Sequence, residues 1–89
     1  MACDIKIDSA AIRDLDKLDP PIAKRILLFL HERVATLDDP RSIGEALKGS
    51  KLGGYWKYRV GDYRIITKIE DDVLQIFVIK IGNRREVYR

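Results

Sequence analysis

Three cations in the run Tyr55-Trp56-Lys57-Tyr58-Arg59-Val60-Gly61-Asp62-Tyr63-Arg64 have the types and spacing to act on one anion. Gly61-Asp62 is a two-residue turn signal between two runs rich in aromatic and β-branched residues, which reads as a hairpin. If Val60 and Tyr63 flank that turn as a pair, Arg59 lies opposite Arg64. Side chains alternate faces along a strand, so Lys57 joins them on one face. Like charges placed opposite each other destabilise a hairpin. No carboxylate in the strands answers them, because Asp62 falls in the turn and Glu70 comes after the basic face has passed. A sheet that binds nothing gains nothing from such a row, whereas a sheet that holds a phosphodiester gains a great deal. Tyr55 shares the face of Lys57 and Arg59 and could stack on a base. Trp56 and Tyr58 point the other way, toward a core. The tail adds Arg84, Arg85, Tyr88 and Arg89 directly after the last strand, where strand order returns them toward the same concave surface. Tyr55, Lys68, Arg85 and Arg89 are the candidates for holding an RNA strand around the central cations.

A site of Lys, Arg and Tyr limits the chemistry. Metal-assisted hydrolysis wants carboxylates or imidazoles in a cluster. With one His (His31) and one Cys (Cys3), a transition-metal site is not expected, and no cofactor is implied. Cleavage of RNA by its own 2′-hydroxyl needs no metal. It needs a group to take the 2′-OH proton, cations to stabilise the charged phosphorane, and an acid for the departing 5′-oxygen. The patch is competent for that reaction, and binding alone would use the same residues.

The 89 residues suit one domain spanning 1–89, with 46% apolar and 35% charged side chains, as in a soluble globular protein. Residues 1–54 carry nine Lys/Arg against nine Asp/Glu, and residues 55–89 carry eight against five, so the second part holds the whole net charge of +3. A charge excess confined to one part points to an anionic partner there. A single cysteine excludes an intrachain disulfide and fits a reducing cytoplasm. No apolar run of signal-peptide length or membrane-spanning length is present, so no membrane role is expected.

The elements that must position these residues follow from periodicity. Cys3–Ile7 alternates as a short strand. Asp8 or Ser9 caps a first helix running to about Lys17, with Ile12 and Leu15 inward. Asp19-Pro20 starts a second helix, expected to reach Leu37, whose stripe is Ile22, Ile26, Phe29, Leu30, Val34 and Leu37. Asp38-Asp39-Pro40 stops it, and a short helical turn is expected around Ile43–Leu47. Strands follow at Tyr55–Val60, Tyr63–Glu70 and Val73–Ile81, the last with Ile81 in the Phe77/Ile79 row, opposite the Ile76/Val78 row. The expected fold is α+β: βαα followed by a three-stranded antiparallel meander, with a two-helix hairpin on one face of the sheet. Asp14 and Asp16 read as part of a polar helix face. Leu28 falls opposite the apolar stripe and is expected to be exposed, as a candidate partner-binding residue.

In this order and spacing, Leu18-Asp19-Pro20, Ala46-Leu47-Lys48-Gly49, Tyr58-Arg59-Val60-Gly61-Asp62-Tyr63-Arg64 and Asn83-Arg84-Arg85-Glu86-Val87-Tyr88 resemble the RelE/ParE superfamily of toxins from bacterial type II toxin–antitoxin systems. The likeness covers nearly the whole chain and is nearer the RelE branch, which cleaves mRNA, commonly in the ribosomal A site. It implies a cytoplasmic, metal-independent mRNA endoribonuclease with a cognate antitoxin as partner. It also implies catalytic roles for Lys57, Arg59, Arg64, Arg84 and Tyr88. Lys57 or Arg59 with Tyr88 would position or activate the 2′-OH, Arg64 would hold the scissile phosphate, and Arg84 would stabilise or protonate the leaving group. Many relatives carry a histidine just before the tail arginines. Asn83 stands there in this chain, which excludes acid–base chemistry at that position. The alternatives are a ParE-like DNA gyrase inhibitor without nuclease activity and a non-catalytic nucleic-acid-binding module.

Overall fold

A strand built on alternate apolar residues opens the fold. In the computed structural model, which describes residues 4–47 and 54–85 (for Asp71 the backbone alone), β1 is Asp4–Ile7, with Ile5 and Ile7 turned inward. Helix α1, Ser9–Asp16, starts where the Asp8 carboxylate accepts a hydrogen bond from the Ala10 N–H at 3.2 Å. That bond satisfies one of the amide donors a helix start leaves open. Ala11 and Leu15 are buried, while Ile12 is 47% exposed, which corrects the expected Ile12/Leu15 inner face. The methyl side chain of Ala11, one turn before Leu15, takes the place facing the core.

Helix α2, Pro20–Leu28, has proline in its first turn and continues without a break into a π-helical turn, Phe29–Val34. The wider turn is closed by the Ala35 N–H donating to the Leu30 carbonyl at 2.9 Å. The regular helix expected to Leu37 therefore ends earlier. Its stripe holds as far as Val34: Ile26, Leu30 and Val34 are fully buried, with Ile22 and Phe29 packed partly against them, whereas Leu37 falls past the helix and outside this core.

After the 3-10 turn Pro40–Ser42, Glu45–Ala46 forms strand β2 and pairs antiparallel with β3, Trp56–Val60, as Glu45↔Lys57 and Ala46↔Trp56. The helical turn expected around Ile43–Leu47 is overturned. Gly44 adopts φ +84, and a Cβ there would collide with the Lys57 carbonyl oxygen. Glycine lets this backbone lie directly against β3. Two aromatic side chains tie the segment down: Trp56 Nε1–H donates to the Ile43 carbonyl at 2.8 Å, and the Tyr58 hydroxyl donates to the Pro40 carbonyl.

Strand β4, Tyr63–Glu70, and strand β5, Gln75–Asn83, complete a five-stranded sheet in the order β1-β5-β4-β3-β2. β1 is parallel to β5 and the other pairs are antiparallel. The fold is α+β, with the helices on one face. The β4–β5 register shifts between Ile66 and Thr67, so that Lys80 faces Ile66 and Val78 faces Thr67. The extra residue, Ile79, reverses the alternation. Ile81 therefore joins Ile76 and Val78 in the core rather than the Phe77/Ile79 row. β5 also outruns β1, whose last pair is Ile7↔Val78. The Ile81 N–H beyond that point donates to the Asp14 carboxylate at 3.0 Å, so Asp14 ties α1 to the sheet rather than merely facing water. Among the described residues no helix is long and apolar enough to cross a membrane.

Candidate functional site

The β3–β4 turn decides which side chains meet. Gly61 takes φ +59, and the strands leave the turn paired Val60↔Tyr63, Arg59↔Arg64, Tyr58↔Ile65 and Lys57↔Ile66. Tyr58, Val60 and Ile65 enter the core. Lys57, Arg59 and Arg64 consequently share the other face, and they line one open cleft of about 490 Å³. Arg64 is steadied through one guanidinium nitrogen, which donates to the Gly61 and Tyr63 carbonyls at 3.1 Å each.

The cationic row does have a carboxylate beside it. Glu45 of β2 places Oε2 3.6 Å from Lys57 Nζ and lines the same cleft. The Glu45 side chain is 75% exposed, so the pair adds little to stability. Its consequence is chemical: the cleft combines four cationic side chains, Arg33, Lys57, Arg59 and Arg64, with one carboxylate. The sequence conceals this because Glu45 reaches Lys57 only through a strand of two residues. Phe29 and Arg33 of the π-helical turn, also missed by sequence reasoning, form the far side of the cleft. Among the described residues no three His, Cys, Asp or Glu side chains gather as a metal-ligand group.

The other candidates are dispersed. The Arg84 N–H donates to the Asp62 carbonyl at 3.0 Å, and the Arg85 N–H donates to Asn83 Oδ1 at 3.0 Å. Both exposed arginines, with Asp62 and Asn83, line a shallow depression beside the turn that carries Arg64. Tyr55 is half-buried just before β3 and lies outside the residues lining the cleft. Lys68 sits further along β4, opposite Phe77, with Nζ 3.4 Å from Glu70 Oε1, and is likewise outside the cleft. Tyr88 and Arg89 lie outside the described residues. Leu28 is 44% exposed on α2.

The chain matches the family model described as the ParE toxin of the type II toxin–antitoxin system parDE, over residues 5–88. It is 32% identical over 85 residues to the toxin RelE of Mycobacterium tuberculosis, covering 96% of this chain and 84% of that protein. The toxin RelG of the same organism is 27% identical over 85 residues, covering 96% of this chain and 94% of that protein. The fold superposes with a TM-score of 0.85 on a chain of the toxin–antitoxin complex RelBE2 from M. tuberculosis, at 25% identity, covering 94% of this chain and 100% of the other.

Proposed function

This chain belongs to the ParE toxin family of type II toxin–antitoxin systems, alongside RelE-type relatives, and from that membership and the cleft we propose that it is a metal-independent mRNA endoribonuclease. The observation that carries the reading is the direct pairing of Arg59 with Arg64, with Lys57 on the same face. Two guanidiniums and an ammonium held together suit the spread negative charge of a phosphorane.

In the proposed reaction the 2′-oxygen attacks the adjacent phosphorus as its proton passes to a base. The P–O5′ bond then breaks, leaving a 2′,3′-cyclic phosphate and a 5′-hydroxyl once the 5′-oxygen has taken up a proton. Glu45, the carboxylate in the cleft, is the proton acceptor this geometry favours. Arg64 holds the scissile phosphate, Lys57 and Arg59 stabilise the phosphorane, and Arg84 beside the turn stabilises the departing oxygen. Tyr88 would help orient the 2′-OH. The mRNA would be met in the ribosomal A site in the cytoplasm. A cognate antitoxin is the proposed protein partner, supported by the antitoxin-bound state of the RelBE2 relative.

Incubating the purified toxin with mRNA, with and without ribosomes, and mapping the new ends tests the reading. Cyclic-phosphate ends are expected. Intact RNA under both conditions, together with inhibition of DNA gyrase supercoiling, would replace it with the gyrase-inhibitor reading.

A further inference from the structure

Arg25, Phe29 and Arg33 recur every fourth residue along α2 and its π-helical extension. Four residues overshoot one α-turn of about 3.6 residues, so in a regular helix such a row drifts around the surface. The wider turn over Phe29–Val34 takes up part of that drift. The row runs from the β3–β4 turn to the cleft. Arg25 Nη1 lies 3.5 Å from where a Cβ on Gly61 would stand, at the turn that carries Arg64. Phe29 and Arg33 line the cleft of Lys57, Arg59 and Arg64. Phe29 is held edge-on to Tyr58, with ring centroids 6.1 Å apart and planes at 65°. Arg25 and Arg33 are exposed, and among the described residues neither guanidinium has an ion-pair or hydrogen-bond partner.

Two exposed guanidiniums with an aromatic ring between them, one in the cleft of the cationic row and the other beside its β3–β4 turn, are suited to a single nucleic-acid strand. We propose that Arg25, Phe29 and Arg33 form a second, helix-borne wall that holds the RNA on either side of the scissile phosphate. The arginines take flanking phosphates, and Phe29 offers a base its partly exposed ring. This inference rests on the nuclease reading and extends it. Arg25 and Arg33 are about 12 Å apart along the axis, at about 1.5 Å per residue, so the wall engages a strand of several nucleotides rather than a dinucleotide. An acidic antitoxin segment could also pair with the two arginines. That Phe29 and Arg33 line the same cleft as Lys57, Arg59 and Arg64 favours RNA.

The test is equilibrium binding of oligoribonucleotides of increasing length, made uncleavable by 2′-O-methyl substitution, across a range of salt concentrations. The wild type is compared with Arg25→Ala, Arg33→Ala, Arg33→Lys and Phe29→Leu. Each alanine variant is expected to lower the slope of log affinity against log salt by about 0.7, the value for one phosphate contact to a single strand. The loss should be larger for long oligonucleotides than for dinucleotides, and Arg33→Lys should restore the slope. Phe29→Leu, which keeps apolar volume beside Tyr58, is expected to bind about tenfold more weakly at an unchanged slope. Unchanged slopes in both alanine variants, with the wild type binding RNA, would overturn the second wall and leave the nuclease reading standing. The same result accompanied by weaker antitoxin capture would assign the row to the antitoxin and overturn it equally. If the wild type itself neither binds nor cleaves RNA, the underlying reading fails and takes this one with it.

Discussion

At the scale of single residues, the proposed mechanism separates charge from proton transfer. In that mechanism Arg64 and Arg84 act as fixed positive groups, so Arg64→Ala and Arg84→Ala are each expected to lower the cleavage rate on the order of 10²-fold. Melting curves should change little, because Arg84 is exposed and Arg64, half-buried with two bonds to turn carbonyls, sits opposite a like charge. Near-wild-type rates in both variants would remove them from the mechanism. Glu45→Gln makes a different prediction. Loss of a general base lowers the rate by roughly 10²–10⁴-fold. Affinity for uncleavable RNA should hold or rise, since a negative charge has left a phosphate-binding cleft. A variant that binds worse and cleaves normally would show that Glu45 only steadies Lys57. On free RNA, with ribosomes left out, a chelator is expected to leave activity intact.

At the scale of elements, the site depends on β2 lying flat against β3. Gly44 makes this possible, with φ +84 and no room for a Cβ against the Lys57 carbonyl. Gly44→Ala should therefore cost about 1–3 kcal/mol of stability from backbone strain alone. It should also reduce cleavage in the molecules that remain folded, because Glu45 would lose its place beside Lys57. Denaturant unfolding and initial rates measured on the same preparation check both effects. The bulge in β5 makes a second, structural demand, since the Ile81 N–H relies on Asp14. Asp14→Ala leaves that donor without its partner and should cost about 1–3 kcal/mol, whereas Asp14→Asn, which keeps a carbonyl acceptor, should cost less. Equal stability of the two variants would mean that water replaces the carboxylate at no cost.

At the scale of the whole molecule, the two faces of the sheet divide the work. One carries the helices and the core, and the other presents Lys57, Arg59 and Arg64, in a cleft that Phe29 and Arg33 of the π-helical turn also line. Leu28 on α2 is 44% exposed. A lone exposed leucine is ordinary on a protein surface, so its proposed part in antitoxin binding needs a direct measurement. Leu28→Glu is expected to reduce co-purification of the antitoxin while leaving RNA cleavage by the free toxin unchanged. Undiminished capture would remove Leu28 from the interface.

Sequence alone determined what depends on near neighbours. The two-residue turn Gly61-Asp62 and the period of two along each strand sufficed to place Arg59 opposite Arg64, because hairpin register is set within about ten residues. The helical stripe of Ile26, Leu30 and Val34 was legible for the same reason, since its period is local. The resemblance then supplied the superfamily and the RelE-like fold. Tertiary structure decided what depends on distant partners. Glu45-Ala46 is too short to declare itself a strand, and it becomes one only because β3 offers an edge that Gly44 can approach. The phase of Ile81 depends on one extra residue opposite β4, which strict alternation cannot reveal. Arg33 carries no local sign of belonging with Lys57, and only the packing of α2 and its π-helical turn beside β3 brings the two into one cleft. Periodicity is written into neighbouring residues, whereas pairing and proximity are fixed by the energy of the assembled core.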